Sequence, residues 1–406
     1  MADVIRTVAG GGVTTPQGFR AGAISCGIKS ASDTPDLALL IADQPCVAAA
    51  TFTTSRTPAA PVLICKEHLA ANGNQAQAVI VNSGNANCST GTRGLRDART
   101  MAGAVAEHYG IDPQLVMVSS TGIIGRPLPV EKVITGLPKI VPRYDGGEEF
   151  ANAILTTDTR AKRIAVECEI GGVTIRIGGT TKGAGMIYPN MATMLCYITT
   201  DAAIDGAWLQ DVLQHAVMDS FNMICVDGDM STNDTVIVMA NGMAGNQVIT
   251  AGSPDADTFV MALNRVTRYL AVEIARDGEG MTKLMEVHVR GGHDAGDARK
   301  AARGITMYRL WQCALAGGDP NWGRIIGALG ACGAAFDQDQ IAVWLGDVQV
   351  VKDGIAAEYQ QADAVQALVG DTVTITVDLH HGQASATAWG CDMTHGYIDE
   401  NTLYTR

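Results

Sequence analysis

Short apolar or alternating stretches recur along the whole chain and predict β-strands. Turns that contain glycine or aspartate separate several of them, as in IGGV at 170–173 and LGDV at 345–348. Such spacing is typical of antiparallel hairpins. The predicted strands cover residues 77–81, 115–120, 163–170, 173–178, 235–240, 284–290, 341–346, 348–352, 372–380 and 383–389.

Other segments repeat apolar residues every three or four positions, which predicts amphipathic helices. They span residues 95–109, 206–221, 256–275 and 321–336. The Gly/Asp-rich segment 291–298 is the best candidate for a loop between sub-regions. Because strands and helices are mixed without regular βαβ alternation, the pattern favours an α+β fold, a layered α/β sandwich with mostly antiparallel sheets.

Composition and charge narrow the function classes. The 406 residues are 47% hydrophobic with 46 glycines, which suits a large globular core. The formal net charge of −13 argues against nucleic acid as a partner. Neither a secretory signal nor an apolar run long enough to cross a bilayer is present in the sequence, so we expect a cytoplasmic chain without membrane contact.

Candidate metal and nucleotide motifs fail on spacing. The ten cysteines stand singly, without zinc-ligand pairing, and are expected to be mostly buried hydrophobes. GGTTKGAG at 178–185 has Ala184 where a phosphate loop needs lysine. DGDMSTND at 227–234 has Thr232 and Val238 where a calcium loop needs glycine and glutamate. We therefore predict no metal site and no cofactor.

The stretch KGAGMIYPNMATMLCYI, residues 182–198, leads through a flexible glycine- and proline-containing loop to Thr193, and an apolar run follows. A threonine hydroxyl is a weak nucleophile, but cutting the peptide bond before it frees an α-amino group that serves as its base. That amine has a pKa of about 7.7–8, which suits proton transfer near neutral pH. The other interpretation is a β-branched residue that opens a strand, and composition alone favours it.

The segment resembles the self-cleavage segment of the ornithine acetyltransferase (glutamate N-acetyltransferase) family of arginine biosynthesis. Further blocks resemble those of the family in the same order and cover nearly the whole chain. They are PQGFRAGAISCGIK (16–29), AATFTTSRTPAAPV (49–62), VNSGNANCSTG (81–91), SSTGIIGRPLP (119–129), ILTTDT (154–159), SFNMICVDGDMSTNDT (220–235), RDGEGMTK (276–283), GGDPNWGRIIGALG (317–330) and AWGCDMTHGYI (388–398).

The resemblance implies cleavage between Ala192 and Thr193. An α chain, residues 1–192, would hold the oxyanion and substrate loops. A β chain, residues 193–406, would begin with the nucleophile and hold a substrate-binding C-terminal region. Thr193 would take the acetyl group from N2-acetylornithine as an ester and pass it to glutamate in a two-step, ping-pong reaction. Family members assemble as two α and two β chains.

The resemblance also implies roles for residues around the nucleophile. Thr121 and Gly122 match the positions that stabilise the oxyanion, although their composition fits a plain turn equally well. Lys182 is a partner for the substrate carboxylate by its charge, and a solvated surface lysine is the alternative.

The remaining implied contacts bind the amino-acid substrates. Thr156 and Asn401 match substrate-contacting positions of the family. Glu279 matches another and would face the ornithine amine, with an exposed helix-end glutamate as the alternative. Family members commonly end with small hydroxyl residues after the tyrosine, whereas this chain ends in Arg406. The departure puts the acceptor preference in question and makes Arg406 the weakest candidate for substrate binding.

Two other functions compete with acetyl transfer. An N-terminal-nucleophile amidase or aminopeptidase would use the same threonine, with water in the place of glutamate. A non-catalytic binding protein would keep the fold without the chemistry. The sequence leaves open whether acetyl-CoA also serves as an acetyl donor.

Overall fold

The computed structural model describes residues 5–29, 33–188 and 194–402 of the chain. These residues form two compact units. The first takes its residues from 1–183, 190–217 and 230–270, and the second from 184–189, 218–229 and 271–406. Ala192, Thr193 and Arg406 lie outside the described residues.

The strands make up two sheets, one in each unit. Their bounds are β1 Ile5–Thr7, β2 Phe19–Ile24, β3 Leu37–Phe52, β4 Gln75–Asn85, β5 Val116–Ile123, β6 Lys162–Ile170, β7 Val173–Lys182, β8 Leu195–Thr200, β9 Ile224–Cys225, β10 Thr235–Ala240, β11 Leu284–Gly292, β12 Ala342–Leu345, β13 Val348–Lys352, β14 Ile355–Ala356, β15 Thr372–Asp378 and β16 Ala384–Cys391.

The helices are α1 Ala60–Asn72, α2 Gly91–Tyr109, α3 Val130–Gly136, α4 Gly147–Ala153, α5 Gly206–Met218, α6 Ala256–Ala275, α7 Ala295–Thr306, α8 Arg309–Ala316, α9 Trp322–Ala331, α10 Gln361–Gln366 and α11 His395–Thr402. Short 3-10 turns cover Pro113–Leu115, Leu137–Lys139, Phe221–Met223 and Gln338–Gln340. In the part of the chain that the structure describes, no helix combines the length and the apolar character needed to span a membrane.

The sheet of the first unit has the order β1-β6-β7-β8-β10-β3-β4-β5, and β2 also pairs with β3. The long strand β3 accommodates both neighbours because β2 pairs with Leu37–Ala42 and β10 pairs with Val47–Phe52. Only the β8–β10 and β4–β5 pairs are parallel. Most pairs are therefore antiparallel, as the hairpin pattern predicts.

The core of this unit lies under helices, and α2 shows most clearly how one apolar face is buried. In α2 the buried residues Ala98, Met101, Ala102 and Val105 follow the helical repeat, and Gly110 ends the helix in the left-handed conformation with φ 68°. Both α1 and α2 pack against β5, while α4 packs against β2. The core cluster includes Leu39, Ile80, Val118 and Tyr197, all buried.

The sheet of the second unit has the order β14-β13-β12-β15-β11-β16-β9. Its β15–β11 and β16–β9 pairs are parallel and the others antiparallel. Helix α7 packs against β11 and β16 through a buried stripe that includes Ala298, Ala301 and Ile305. The mostly antiparallel α+β fold that the sequence predicts is confirmed in both units.

One local prediction is wrong. The segment 291–298, expected to be a loop, contains the end of β11 at Gly292 and the start of α7 at Ala295. The Asp294 carboxylate caps the helix by accepting a hydrogen bond from the Asp297 N–H at 2.8 Å. The polar residues that suggested a loop are those of a helix start. His293, Asp294 and Asp297 lie close enough to hold a cation, but Asp297 already pairs with Lys300 at 2.8 Å.

The cysteines confirm the expectation of buried hydrophobes. Seven of the ten are buried, Cys26 and Cys332 are half-buried, and Cys313 is exposed. All ten are free thiols. Burial raises the pKa of the Cys65 thiol to about 12, so this thiol is unreactive near neutral pH.

Candidate active site

Thr121 and Gly122 lie near the end of β5, where this strand pairs in parallel with β4. Gly122 has φ 129°, a conformation that essentially requires glycine. A Cβ atom there would lie 2.4 Å from the carbonyl carbon of Gly84 and 2.6 Å from the backbone nitrogen of Asn85. The glycine is thus needed both for the backbone angle and for the close approach of β4.

Lys182, the last residue of β7, joins two residues that are far apart in the sequence. Its Nζ donates to the Thr156 Oγ1 at 2.7 Å and to the Thr121 Oγ1 at 3.3 Å. The lysine is only 8% exposed, so the alternative of a solvated surface lysine is wrong. The structure therefore brings together three residues that the sequence predicts for the site: Thr121, Thr156 and Lys182.

A buried carboxylate that the sequence did not predict anchors this group. The Asp158 Oδ1 accepts from the Lys162 Nζ and from the Gly183 N–H, both at 2.6 Å. Its Oδ2 accepts from the Thr156 N–H at 3.1 Å and lies 3.6 Å from the Lys182 Nζ. The side chains of Asp158 and Lys162 are fully buried.

The charge of this carboxylate is stabilised by its neighbours. Burial alone would raise the pKa of Asp158, but the ammonium groups of Lys182 and Lys162 and the Gly183 N–H hold it well below its usual range. Asp158 is therefore ionised at neutral pH. With two lysines around one aspartate, the group carries one surplus positive charge.

The DGDMSTND segment has a structural role beside Thr121. The Asn233 Nδ2 donates to the Ala86 carbonyl at 2.6 Å and to the Ser120 carbonyl at 2.8 Å. Ala86 directly follows β4, Ser120 directly precedes Thr121 in β5, and Asn233 itself is buried. The amide therefore fixes the backbone that precedes Thr121.

A second group of predicted residues lies in the second unit. The Asn401 Nδ2, on α11, donates to the Glu279 Oε2 at 2.8 Å. Glu279 is only 9% exposed, so the alternative of an exposed helix-end glutamate is wrong. A Cβ on Gly185 would lie 2.3 Å from the Glu279 carboxyl group, which explains why a glycine stands there.

Asp227 holds the segment that contains Gly185. Its carboxylate accepts from the backbone N–H groups of Met186 and Ile187, and the Tyr397 hydroxyl lies 3.3 Å away. Burial raises the pKa of Asp227, and its backbone N–H donors act in the opposite direction. Glu279 and Asp227 thus place two carboxyl groups in this part of the second unit.

The nucleophile and cleavage site are not covered by this geometry, because Ala192 and Thr193 lie outside the described residues, as does Arg406. The sequence on their C-terminal side behaves as predicted. Met194 is buried, and β8 begins at Leu195, pairing with Lys182 of β7 and Thr235 of β10. The apolar run after Thr193 is therefore a buried strand.

A glycine-only strand end beside a threonine hydroxyl that a lysine holds offers two hydrogen-bond donors of the kind that an oxyanion in acyl transfer needs. Thr121, Thr156 and Lys182 occur along the chain in the order of the family segments quoted above. The class of protein is therefore an acyltransferase, and comparison with known proteins gives the family.

The model of the ArgJ family matches residues 20–406. The arginine biosynthesis bifunctional protein ArgJ of Symbiobacterium thermophilum is 48% identical over 397 residues, which are 97% of this chain and 98% of that protein. The protein of the same name from Bacillus subtilis is 44% identical over 394 residues, 97% of this chain and 96% of that protein. A crystal structure of the arginine biosynthesis bifunctional protein ArgJ from Bacillus halodurans is 42% identical, with a TM-score of 0.51, and covers 52% of this chain and 99% of that chain.

The chain belongs to the ArgJ family. The predicted family and the predicted enzyme class, a glutamate N-acetyltransferase of arginine biosynthesis, are confirmed. Among the predicted site residues, the geometry joins Thr121, Thr156 and Lys182 in one group and Glu279 with Asn401 in another.

Proposed function

We propose that this enzyme moves the acetyl group from N2-acetylornithine to glutamate through an acetyl ester on Thr193. The observation that carries the proposal is the position of Lys182, whose ammonium group joins the hydroxyls of Thr121 and Thr156 in one buried group. The proposed oxyanion residue and a proposed substrate contact therefore share one hydrogen-bond donor.

Thr193 gains its nucleophilic character when the Ala192–Thr193 bond is cut. The freed α-amino group takes the proton of the Thr193 hydroxyl as the oxygen attacks the acetyl carbonyl, and returns it to the leaving amine of ornithine. Glutamate then attacks the ester and carries the acetyl group away. The products of cleavage are an α chain of residues 1–192 and a β chain of residues 193–406.

Both attacks create a negative oxygen that must be stabilised. We assign this task to the Thr121 hydroxyl and the Gly122 N–H. Donors of this kind are worth about 2.7–4 kcal/mol each in acyl-transfer sites. The glycine-only conformation of Gly122, next to the hydroxyl that Lys182 holds, supports the assignment.

The substrates are held by groups of opposite charge. The surplus positive charge around Lys182 and Thr156 suits a carboxylate, which both ornithine and glutamate carry. Glu279, with its Asn401 hydrogen bond, suits the side-chain ammonium of ornithine. Arg406 is a further candidate contact for a substrate, argued from the sequence alone.

These relatives are named bifunctional proteins, which supports a second reaction in which acetyl-CoA acetylates glutamate. In that reaction Thr193 would accept the acetyl group from a thioester, with the same oxyanion donors. We further propose that the enzyme works in the cytoplasm as an assembly of two α and two β chains. Its substrates are small molecules of the amino-acid class.

The fate of the acetyl group tests the proposal against hydrolysis. The purified enzyme is supplied with N2-acetylornithine, with and without glutamate, and both acetate and N-acetylglutamate are measured. Acetyl transfer predicts that N-acetylglutamate appears in step with ornithine and that acetate stays minor when glutamate is present. Equal acetate release under both conditions would instead identify an amidase, and no turnover in either would leave a binding protein.

A further inference from the structure

Lys182 determines the direction of two hydrogen bonds. An ammonium group has donors and no acceptor, so the oxygens of Thr121 and Thr156 must both accept from it. Each threonine hydroxyl then has its own proton left to donate to another atom. The lysine thereby makes Thr121 a donor, which is the property that an oxyanion requires.

The direction holds only while Lys182 stays protonated and in place, and Asp158 provides for both. Its carboxylate lies 3.6 Å from the Lys182 Nζ and also accepts from the N–H of Gly183, the residue that follows the lysine. The same carboxylate fixes the Thr156 backbone at 3.1 Å. One side chain therefore positions the lysine and one of its two hydroxyl acceptors.

Lys162 completes the arrangement. It occupies the Oδ1 of Asp158 at 2.6 Å, whereas the Lys182 Nζ faces the other oxygen at the longer distance. Lys182 consequently makes its shorter contacts with the threonine hydroxyls, at 2.7 and 3.3 Å. The two buried lysines share one carboxylate, and Lys182 is the one held less closely to it.

We propose that Asp158 and Lys162 are positioning residues that hold Lys182 so that the Thr121 hydroxyl donates to the oxyanion. The inference rests on the proposed function, because it needs Thr121 to act in acetyl transfer. It adds two fully buried residues that act on the Thr121 hydroxyl through Lys182.

The test is a double-mutant cycle between the buried pair and the Thr121 hydroxyl. Asp158→Asn combined with Lys162→Met removes both charges of the pair, since removing one alone would leave a buried ion without its partner. Thr121→Val removes the hydroxyl and keeps the shape. The kcat of acetyl transfer is measured for the wild type, each variant and the combination, per molecule of processed enzyme counted by intact mass.

We expect the pair substitution to lower kcat about 10- to 100-fold when Thr121 is present, as loss of a well-placed donor does. In the Thr121→Val background the same substitution should lower kcat less than about threefold, because the hydroxyl through which the pair acts is gone. Glu148→Gln is the matched control. It removes a carboxylate from an exposed ion pair with Arg163 and should leave kcat unchanged.

Equal losses in the two backgrounds would overturn the inference, since a purely structural role affects both alike. So would wild-type kcat in the folded pair variant, or an equal loss in Glu148→Gln. If the pair variant does not fold, by thermal unfolding, Lys162→Met alone, which leaves Asp158 paired with Lys182, is carried through the same cycle with the same criteria. Failure of the proposed function is separate, because it would appear as a wild-type enzyme that does not transfer acetyl.

Discussion

The replacement of Gly122 by alanine tests most sharply whether Thr121 and Gly122 stabilise the oxyanion. The added Cβ would lie 2.4 Å from the Gly84 carbonyl carbon and 2.6 Å from the Asn85 nitrogen, so backbone must move. Backbone strain at φ 129° costs about 1–3 kcal/mol, and overpacking adds about 1–3 kcal/mol. We therefore expect a loss of about 2–6 kcal/mol in the free energy of unfolding.

The same movement displaces the Gly122 N–H from its place beside Thr121. A lost oxyanion donor costs about 100- to 1,000-fold in kcat. Gly125→Ala, just beyond the end of β5, is the matched control. Gly125 also has a positive φ, 84°, but an added Cβ there meets nothing within 4 Å. This control should lose about 1–2 kcal/mol from strain alone and keep its kcat.

The assay combines denaturant unfolding with steady-state acetyl transfer on both variants. Comparing the two variants separates the effect of backbone strain from that of displacing the Gly122 N–H, because only Gly122→Ala adds a steric clash to the strain. If Gly122→Ala matched Gly125→Ala in both stability and kcat, the close β4–β5 approach would have no catalytic meaning, and the oxyanion assignment would lose its structural support.

Three further predictions concern the two residue groups and one buried acid. Thr156→Val removes the hydroxyl that accepts from Lys182 at 2.7 Å and should raise the KM of acetyl transfer about 10- to 100-fold. Exposed Thr135→Val is the control. An unchanged KM in Thr156→Val would be the contrary result. Glu279→Gln should raise the KM for N2-acetylornithine about 10-fold or more and change the KM for glutamate less. The control, exposed Glu400→Gln, should change neither KM. Equal effects of Glu279→Gln on both substrates would refute the ammonium contact. Both carboxyl oxygens of Asp234 are buried without a hydrogen-bond partner among the described residues, and this burial raises the pKa of Asp234 well above its usual range. Its contribution to stability is therefore present below pH about 4 and is lost as pH rises through the raised value. Thermal unfolding of Asp234→Asn should accordingly depend less on pH above about 4 than that of the wild type, and parallel pH curves would contradict this.

Strand and helix positions were predictable where the local pattern was unambiguous. The helix at 256–275 has the predicted bounds, and the hairpin of β6 and β7 turns at the predicted glycines. The sixteen-residue strand β3 was missed because Leu37–Ala42 is buried without alternation, so no period of two marks it as a strand. Helix α1 was missed for a related reason, since its apolar residues do not gather on one face.

The candidate site was predictable only through the family resemblance. From composition alone, Thr121 and Gly122 fit a plain turn and Lys182 fits a solvated surface lysine. Asp158 and Lys162 were missed because an aspartate and a lysine four residues apart are typical of a solvated surface pair. Their complete burial depends on how β6 and β7 fold together, which the local sequence does not contain. The proline- and glycine-rich loop before Thr193 was the one signal readable from the residues themselves.

The central claim is that Thr193 becomes the nucleophile when the bond before it is cut. Its most direct measurement is intact and peptide mass spectrometry of the enzyme quenched during turnover of N2-acetylornithine without glutamate. We predict two fragments that divide between Ala192 and Thr193, with one acetyl group on the Thr193 side chain, and a single uncut, unacetylated chain for Thr193→Ala. A wild-type chain that transfers acetyl while remaining whole, or that carries the acetyl group on another residue, would contradict the account.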